Sequence, residues 1–432
     1  MDTNSHGLLS VAAVTTMDKV MNRQIRCSLS LANATALTEP PQVPDTPIET
    51  LYVHIPFCHT LCRYCSFHKV KFDESLARAY FVALRQEITA VLRMGYRFNR
   101  VYLGGGTTTI LEDELIKTIE LIRSMTPIRE VTCESDPFYF RQGNPEHLRG
   151  LIDRMSIGVQ SFEDRILKAT GRFEKFGSGR EQADYISQAI QLFPTVNLDM
   201  MYGFAGQTPD SVYRDLEQAM ALAPEQITTY PLTPGIGKNR KKCAPIMGPD
   251  RYLWHQFISV RHCLGQSFDQ QFPWNFNRRQ PGLTAHKYVL DGEDCLGVGS
   301  GAFGRFGQRF FVSSFDIHDY IAGIHANPNL PGIRFEKQLD SKALRRHELM
   351  IMMGHGYLDA AQFKAHSGQN LWQALPLEMA YLMACGALAK QGINYRVTEF
   401  GQFLALKMFA GFLSGMDYLR EQASAGCHRY AT

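Results

Sequence analysis

The chain has 432 residues and a mass of 48.9 kDa, room for two or three domains or for one barrel with appendages. Hydrophobic residues make up 45% and charged residues 20%, an ordinary globular balance that excludes disordered, collagen-like and coiled-coil chains. Lys plus Arg number 45 against 42 for Asp plus Glu; the net charge of +3 carries neither a nucleic-acid footprint nor a polybasic membrane surface.

In chain order, the opening MDTNSHGLLSVAAVTTMDKV has an acidic residue and no Lys or Arg before its short apolar stretch, so it lacks the basic start of a secretory signal. Residues 1–48 end in EPPQVPDTP and read as an N-terminal arm and linker. From there β-type runs at 51–55, 100–103, 130–134, 154–159, 196–200 and 226–230 alternate with helical patterns such as 74–94. Strands alternating with helices predict an α/β fold with a parallel sheet, and six such units predict a partial (β/α)6 barrel over residues 49–305. After about residue 235 the alternation weakens into a Pro/Gly/basic loop, PLTPGIGKNRKKCAP, and a glycine-dense turn, GVGSGAFGRFG. Residues 306–432 read as a C-terminal helical domain resembling a winged helix. In it SKALRRHELMIMMGHGYL and LEMAYLMACGALAKQGI look like amphipathic helices, and INYRVTEFGQFLALKMFAGFL like a short strand, a turn and a helix.

The longest near-apolar window, 379–389, is about half of the ~20 residues a membrane span needs and reads as a buried helix. Cytoplasmic placement is the default expectation, and there cysteine clusters more often hold metal than form disulfides. The ten cysteines are in any case far below the roughly 8–10% of a disulfide scaffold.

Three of them carry the chemistry. In YVHIPFCHTLCRYCSFHK, Cys58, Cys62 and Cys65 form CxxxCxxC directly after the first predicted strand. Iron-sulfur cubanes usually take four cysteine ligands, so three on one loop leave one iron open to a substrate or cofactor. The plainer alternative is a zinc site completed by His54, His59 or His68, although structural zinc usually draws paired ligands from two segments. At residues 104–107 GGGT ends the second predicted strand, where backbone without side chains can approach a ligand. Further on, VTCESDP supplies Glu134, MSIGVQSF Gln160, ATGR Arg172 and NLDMMYGFAGQTP Asp199. Each lies at or just beyond a predicted strand end, where barrel enzymes place their sites. Cys133 and Cys385 read as core packing.

The cysteine spacing, with the aromatic Tyr64 just before the third cysteine, resembles the signature of radical S-adenosylmethionine enzymes. Taken together, the motifs resemble the branch typified by oxygen-independent coproporphyrinogen III oxidase and the related haem chaperone, well over about residues 50–305 and loosely beyond. The resemblance implies a 4Fe-4S cluster on Cys58, Cys62 and Cys65 and two molecules of S-adenosylmethionine. For the first molecule it implies Tyr52, Gly105, Glu134 and Phe303, and for the second Tyr64, Gly106, Thr107, Gln160, Arg172, Asp199 and Thr233. A carboxylate can accept from ribose hydroxyls and an arginine can pair with a carboxylate, so the residue types suit that ligand.

Two departures from the pattern bear on function. Cys65-Ser66-Phe67 has phenylalanine where the oxidases carry a further cysteine, which counts against decarboxylation of coproporphyrinogen. The haem motif of the chaperones is replaced by PWNFNRR. The glycine motif also reads GGGTT, with Thr108 in place of the usual proline. The length, the CSF ending, PWNF and GVGSGAF are similar to anaerobic haem-degrading radical methyltransferases. That resemblance implies an enzyme whose 5′-deoxyadenosyl radical turns the second S-adenosylmethionine into a methylene radical that attacks haem. The products are a methylated linear tetrapyrrole and free iron. A low-potential electron donor (flavodoxin, ferredoxin or an NAD(P)H route) is implied as partner. The rival readings are a haem-binding trafficking protein that keeps the cluster, and a coproporphyrinogen III oxidase-like enzyme. Lys238, Arg240, Lys241 and Lys242 either meet haem propionates near the barrel mouth or are simply solvated.

Overall fold

Each of the six β-type runs is a strand. In the computed structural model the described residues are 39–233, 252–279 and 292–427, with 31, 34–37, 241 and 244–248 besides. After the two-residue β1 (Thr35–Ala36) come β2 (Ile48–Ile55), the short β3 (Phe57–Cys58) and β4 (Val70–Lys71), then β5 (Phe98–Gly105). Next are β6 (Glu130–Ser135), β7 (Arg154–Gln160), β8 (Thr195–Tyr202) and β9 (Gln226–Pro231). They are followed by β10 (Phe268–Phe272), β11 (Asn275–Arg278), β12 (Cys295–Val298), β13 (Phe303–Phe306), β14 (Arg309–Ser313) and β15 (Ile333–Gln338).

One sheet takes them in the order β1-β15-β14-β13-β12-β2-β5-β6-β7-β8-β9-β11-β10. From β12 through β9 every neighbour is parallel, so these strands end at the same edge. The parallel core is a mixed α/β arrangement consistent with the expected partial barrel and is flanked by antiparallel strands. Crossover helices such as Glu74–Arg93, Glu112–Met125 and Pro209–Ala221 pack outside it.

The two faces of the barrel differ in chemistry. Val53, Leu103, Cys133, Met155 and Val196 stand in register on the outer face and are buried against the helices. The inner face carries Tyr52, Tyr102, Glu134, Ser156, Asn197, Asp199 and Thr228, which the register of the strands likewise sets side by side. Closed barrels usually fill that space with Val, Ile and Leu. Here it holds a hydrogen-bonded polar layer, which is where a site rather than a core belongs.

A buried carboxylate fastens the far side of the mouth. Glu87, on the inner turn of helix Glu74–Arg93, accepts from Gly299 N at 2.8 Å, Gly332 N at 2.5 Å and Tyr320 Oη at 2.5 Å. Two turns earlier on the same helix, Tyr80 Oη donates to His54 O at 2.7 Å and accepts from Ser300 N at 2.9 Å. The turn after β12 is thereby tied to the end of β2.

Beyond the sheet, β16 (Tyr357–Leu358), β17 (Leu388–Gln391) and β18 (Asn394–Val397) form a small antiparallel sheet with helices Ser341–Gly354, Ala360–Ser367 and Pro376–Ala384. Helix Glu399–Cys427 follows. The expected helix over residues 379–389 is shorter than predicted. It ends at Ala384, Gly386 turns left-handed with φ 73°, and Gly386 N and Ala387 N cap the carbonyls of Met383 and Leu382. The apolar residues after the turn continue as β17. Among the described residues no helix is long and apolar enough to cross a membrane.

Removing the Glu87 carboxylate strands two backbone N–H groups and a buried tyrosine hydroxyl, each a loss of about 1–3 kcal/mol when unsatisfied. Glu87→Ala is therefore expected to cost about 3 kcal/mol or more, read as a lower urea midpoint, and to speed amide exchange across residues 299–302. Unchanged exchange there would show that the carboxylate does not hold the turn.

Candidate active site at the carboxyl edge of the sheet

The cysteine loop leaves β2 through Pro56 and is closed at its base by β3 and β4, with Val70 N donating to Pro56 O at 2.7 Å and Phe72 N to Cys58 O at 2.9 Å. Cys58, Cys62 and Cys65 are free thiols, all half-buried on this loop. Burial pushes the Cys58 thiol up to about 12, the nearby Cys65 and Cys62 add to the rise, and Lys175 and Thr107 oppose it. A Cys58 thiol raised in this way keeps its proton until a cation takes its place.

The donor chemistry suits an iron-sulfur cluster, which takes cysteine thiolates. Among the described residues no three His, Cys, Asp or Glu side chains are grouped to hold a single metal ion. The three histidines weighed for zinc are engaged elsewhere. His54 Nδ1 meets Tyr52 Oη at 2.8 Å and its Nε2 meets His68 O at 3.0 Å; His68 Nε2 meets Ser300 Oγ at 3.2 Å. The His59 ring packs edge-on against Phe72 and Phe138. Burial holds His54 down at about 4, so it is a neutral hydrogen-bonding link.

The glycine turn straps the loop to β5. Gly106 N donates to Ile55 O and Thr107 N to Phe57 O, both at 2.7 Å. A Cβ on Gly106 would sit 2.5 Å from Phe57 O, closer than real Cβ contacts allow. Gly105 has φ 118°, and a side chain there would meet the His54 ring at 2.7 Å. Gly105 N donates to Glu134 Oε2 at 3.1 Å, and Tyr102 Oη to Glu134 Oε1 at 2.7 Å. Thr108, the departure from proline, bonds Cys133 Sγ at 2.9 Å and also Glu134 O, pinning the next strand.

Across the mouth, β7 breaks register between Gly158 and Gln160, and Gln160 takes φ 76°, rare for a residue with a side chain. Such a bulge re-aims a side chain at a strand end. Arg172 Nη1 lies 3.2 Å from Tyr64 Oη and 3.7 Å from Cys62 Sγ, while Nη2 donates to Gly158 O. Burial opposes the Arg172 charge, but Tyr64, Cys62 and Asp136 outweigh it and hold the guanidinium above its ordinary value. Its buried Nε has no partner among the described residues.

Asp199 accepts from Ser156 Oγ at 3.0 Å and Asn197 Nδ2 at 2.9 Å. Phe303 lies 6.4 Å from the Tyr52 ring. The structure thus groups Tyr52 with Phe303, Gly105 with Glu134, and Tyr64 and Arg172 with Cys62. Thr233 keeps its hydroxyl within its own segment, donating to Pro231 O at 3.1 Å.

Several residues of the site carry no motif. Lys175 reaches Asp136 Oδ2 at 2.6 Å, both side chains nearly buried, and Thr107 Oγ1 donates to the same oxygen at 2.9 Å. That ion pair places a cation beside the cysteine loop, and the ammonium also lies 4.4 Å over Phe176. Its position in GRFEK, three residues after Arg172, was the available signal. His54, Ser156 and Asn197 are legible only as inward positions of strands already predicted.

Two carboxylates, Glu134 and Asp199, share one buried face, and burial opposes the ionisation of both. Burial pushes Asp199 up to about 7 from 3.8, with the neighbouring Glu134 charge adding to it and Ser156 and Asn197 opposing. Burial raises Glu134 as well. A folded-state pKa above the unfolded one means that the folded chain keeps its proton longer, so stability is lost as pH rises through the interval. For the chain without ligands, stability relative to Asp199→Asn is expected to fall from pH 4 to pH 7, by at most about 4 kcal/mol. Urea unfolding at both pH values checks this; a difference that does not change with pH would show that Asp199 titrates normally.

Comparison with known proteins agrees with this geometry. Residues 52–219 match the Radical SAM superfamily. Oxygen-independent coproporphyrinogen III oxidase of Helicobacter pylori is 24% identical over 416 residues, 85% of this chain and 86% of that protein. The heme chaperone HemW of Bacillus subtilis is 29% identical over 382 residues, 85% of this chain and 99% of that protein. Among solved structures, coproporphyrinogen III oxidase of Escherichia coli superposes with a TM-score of 0.70 at 21% identity, covering 85% of this chain and 90% of that one. The loop of three cysteines and these matches make residues 52–219 similar to the Radical SAM superfamily and the chain as a whole similar to the coproporphyrinogen III oxidases and HemW, with the fold of the solved Escherichia coli oxidase.

Proposed function

We propose that this chain is a radical S-adenosylmethionine C-methyltransferase that opens the haem ring without oxygen, yielding a methylated linear tetrapyrrole and free iron. The observation that carries the choice within the family is the end of the cysteine loop. Cys65-Ser66-Phe67 presents a 40% exposed phenylalanine where the resemblance to the oxidases calls for another cysteine, and Arg420 holds the carbonyls of Ser66 and Phe67. A tetrapyrrole as substrate is supported by relatives named for coproporphyrinogen and for heme.

In this reading Cys58, Cys62 and Cys65 hold the cluster. When bound, the cluster and S-adenosylmethionine supply the radical and the methyl carbon; the electron comes from a low-potential donor such as flavodoxin, ferredoxin or an NAD(P)H route. Tyr52, Gly105, Glu134 and Phe303 orient the first S-adenosylmethionine, Glu134 being pre-set by Tyr102 and the Gly105 amide. Tyr64, Gly106, Thr107, Gln160, Arg172, Asp199 and Thr233 serve the second. The open Nε of Arg172 suits a ligand carboxylate, and Asp199 suits ribose hydroxyls. The two carboxylates stand in separate hydrogen-bond sets, as two ligands side by side would need. The buried polar layer excludes bulk water from radicals, which is the protein's share of such chemistry.

A second reading, a haem carrier that keeps the cluster, is favoured by the coverage of the HemW relatives, 99% of the Bacillus subtilis protein. One experiment separates the readings: anaerobic incubation with reductant, haem and S-adenosylmethionine carrying a trideuterated methyl. Methyl transfer puts deuterium into 5′-deoxyadenosine and into a linear tetrapyrrole. Bound but unaltered haem identifies a carrier, and carbon dioxide from coproporphyrinogen an oxidase. Independently, replacing Cys58, Cys62 and Cys65 together by Ala is expected to abolish the cluster absorbance of protein purified without air. Surviving absorbance would move the cluster to other ligands.

A further inference from the structure

Outside the polar interior, a cavity of about 510 Å³ lies against the cysteine loop, helix Glu399–Cys427 and the segment after β9. Its size falls within the roughly 300–1,000 Å³ of small-ligand sites. Arg63, Lys69, Lys241 and Arg420 line it together with Leu61 and Cys62, and no aspartate or glutamate does so among the described residues. The charges facing it are nearly all of one sign. Asp417, itself buried, pairs with Arg420 at 2.5 Å. Lys69 donates to Cys65 O, and Arg420 Nη1 to Ser66 O at 3.0 Å, so two of the cations are fixed by the loop backbone. His68 also borders the cavity, and burial holds it well below the ordinary histidine range, so its ring is neutral.

Four cations converging on a concavity repel one another, and an anion seated among them relieves that repulsion and is drawn in by the focused field. A second feature narrows the anion. Leu61 is 45% exposed and Phe67 40%, two large apolar side chains uncovered on the same loop that supplies two of the cations, Arg63 and Lys69. A ligand matching both has carboxylates at one edge and a broad apolar body at the other. The cavity also reaches Cys62, so such a ligand would lie beside the cysteines.

We propose that this cavity seats the propionate carboxylates of haem, with the macrocycle against Leu61 and Phe67. The inference rests on the haem reading above and assigns the charged end of that substrate. Lysine and arginine donors bind carboxylates without needing the metal at the centre of the ring, so recognition here belongs to the periphery of the tetrapyrrole.

The test is a titration of the cluster-loaded protein, purified without air, with haem and with haem dimethyl ester, followed by the Soret band. Arg63→Glu and Lys241→Glu are the variants, because Lys69 and Arg420 also hold the loop backbone at Cys65, Ser66 and Phe67 and their replacement would disturb the loop itself. Cluster absorbance in each variant reports whether the loop is intact. Losing a charged hydrogen bond corresponds to a factor of about 10–100 in affinity. Haem is therefore expected to bind each variant at least about tenfold more weakly, with the dimethyl ester weak throughout and insensitive to both substitutions. Variants that bind haem like the parent, or an ester that binds the parent as tightly as haem, would overturn the assignment while leaving the haem reading in place. A parent protein that binds no haem would overturn both. Variants that keep haem affinity and lose reduction by flavodoxin would give the cavity to an acidic electron donor and overturn the proposal.

Discussion

Everything at the mouth of the barrel hangs from two backbone hydrogen bonds, Gly106 N to Ile55 O and Thr107 N to Phe57 O. They clamp the start of the cysteine loop onto the end of the neighbouring strand, and they form only because Gly106 has no Cβ to meet Phe57 O. Cys58 follows directly after Phe57, so the strap fixes the first cysteine relative to the sheet. The same turn presents Thr107 to Asp136, and Asp136 holds Lys175 beside the loop. Position and local charge at the cysteines therefore descend from one close approach of two backbones. A tight turn with ordinary side chains would leave β5 correctly paired and the loop unplaced.

The inner face of the barrel is the complementary constraint. Asn197 links Ser156, Asp199 and Thr228, and Arg154 is bound by Gln226, which itself donates to Asn277. Buried polar groups that satisfy one another form a rigid layer, and partial satisfaction would be costly. The layer still leaves open points, among them Arg172 Nε and one oxygen of Asp136. Burial raises both Glu134 and Asp199, and the Glu134 charge raises Asp199 further, so a cationic ligand between or beside them gains twice: it is attracted, and it favours the ionised carboxylates. A site poised in this way favours a positively charged ligand without a large rearrangement.

Much of this was legible in the residues themselves. The six inner strands follow from apolar runs between helical patterns, and the structure extends most of them by only one to three residues at an end. The cysteines, the glycine turn, Glu134 and Asp199 stand at strand ends because parallel topology gathers those ends on one edge. What the sequence hides is what depends on distant partners. Cys295–Val298 is only four residues long and sits in a region of weakened alternation, yet it is a parallel neighbour of β2. Glu87 looks like an ordinary polar residue of an amphipathic helix, and its role appears only when Gly299, Tyr320 and Gly332 come round to it. The bulge at Gln160 leaves no mark in MSIGVQSF beyond a glycine nearby. At residues 379–389 the apolar run is continuous, and the single glycine that divides helix from strand outweighs it.

The last constraint links the two ends of the described chain. The inward side of the cysteine loop is held by backbone, but its outward side is held by a side chain from far away, Arg420, on the carbonyls of Ser66 and Phe67. Asp417 fixes that guanidinium from one turn before. A loop gripped on one side by strand backbone and on the other by a helix cannot shift as a free segment would. The helix therefore acts on the cysteines without touching them. On that outward side the Phe67 ring is 40% exposed. Burying that ring would remove an apolar surface from water at roughly 25 cal/mol per Å². An uncovered phenylalanine on a loop whose carbonyls an arginine holds gives the proposed amphiphilic anion an apolar surface near the cationic cavity.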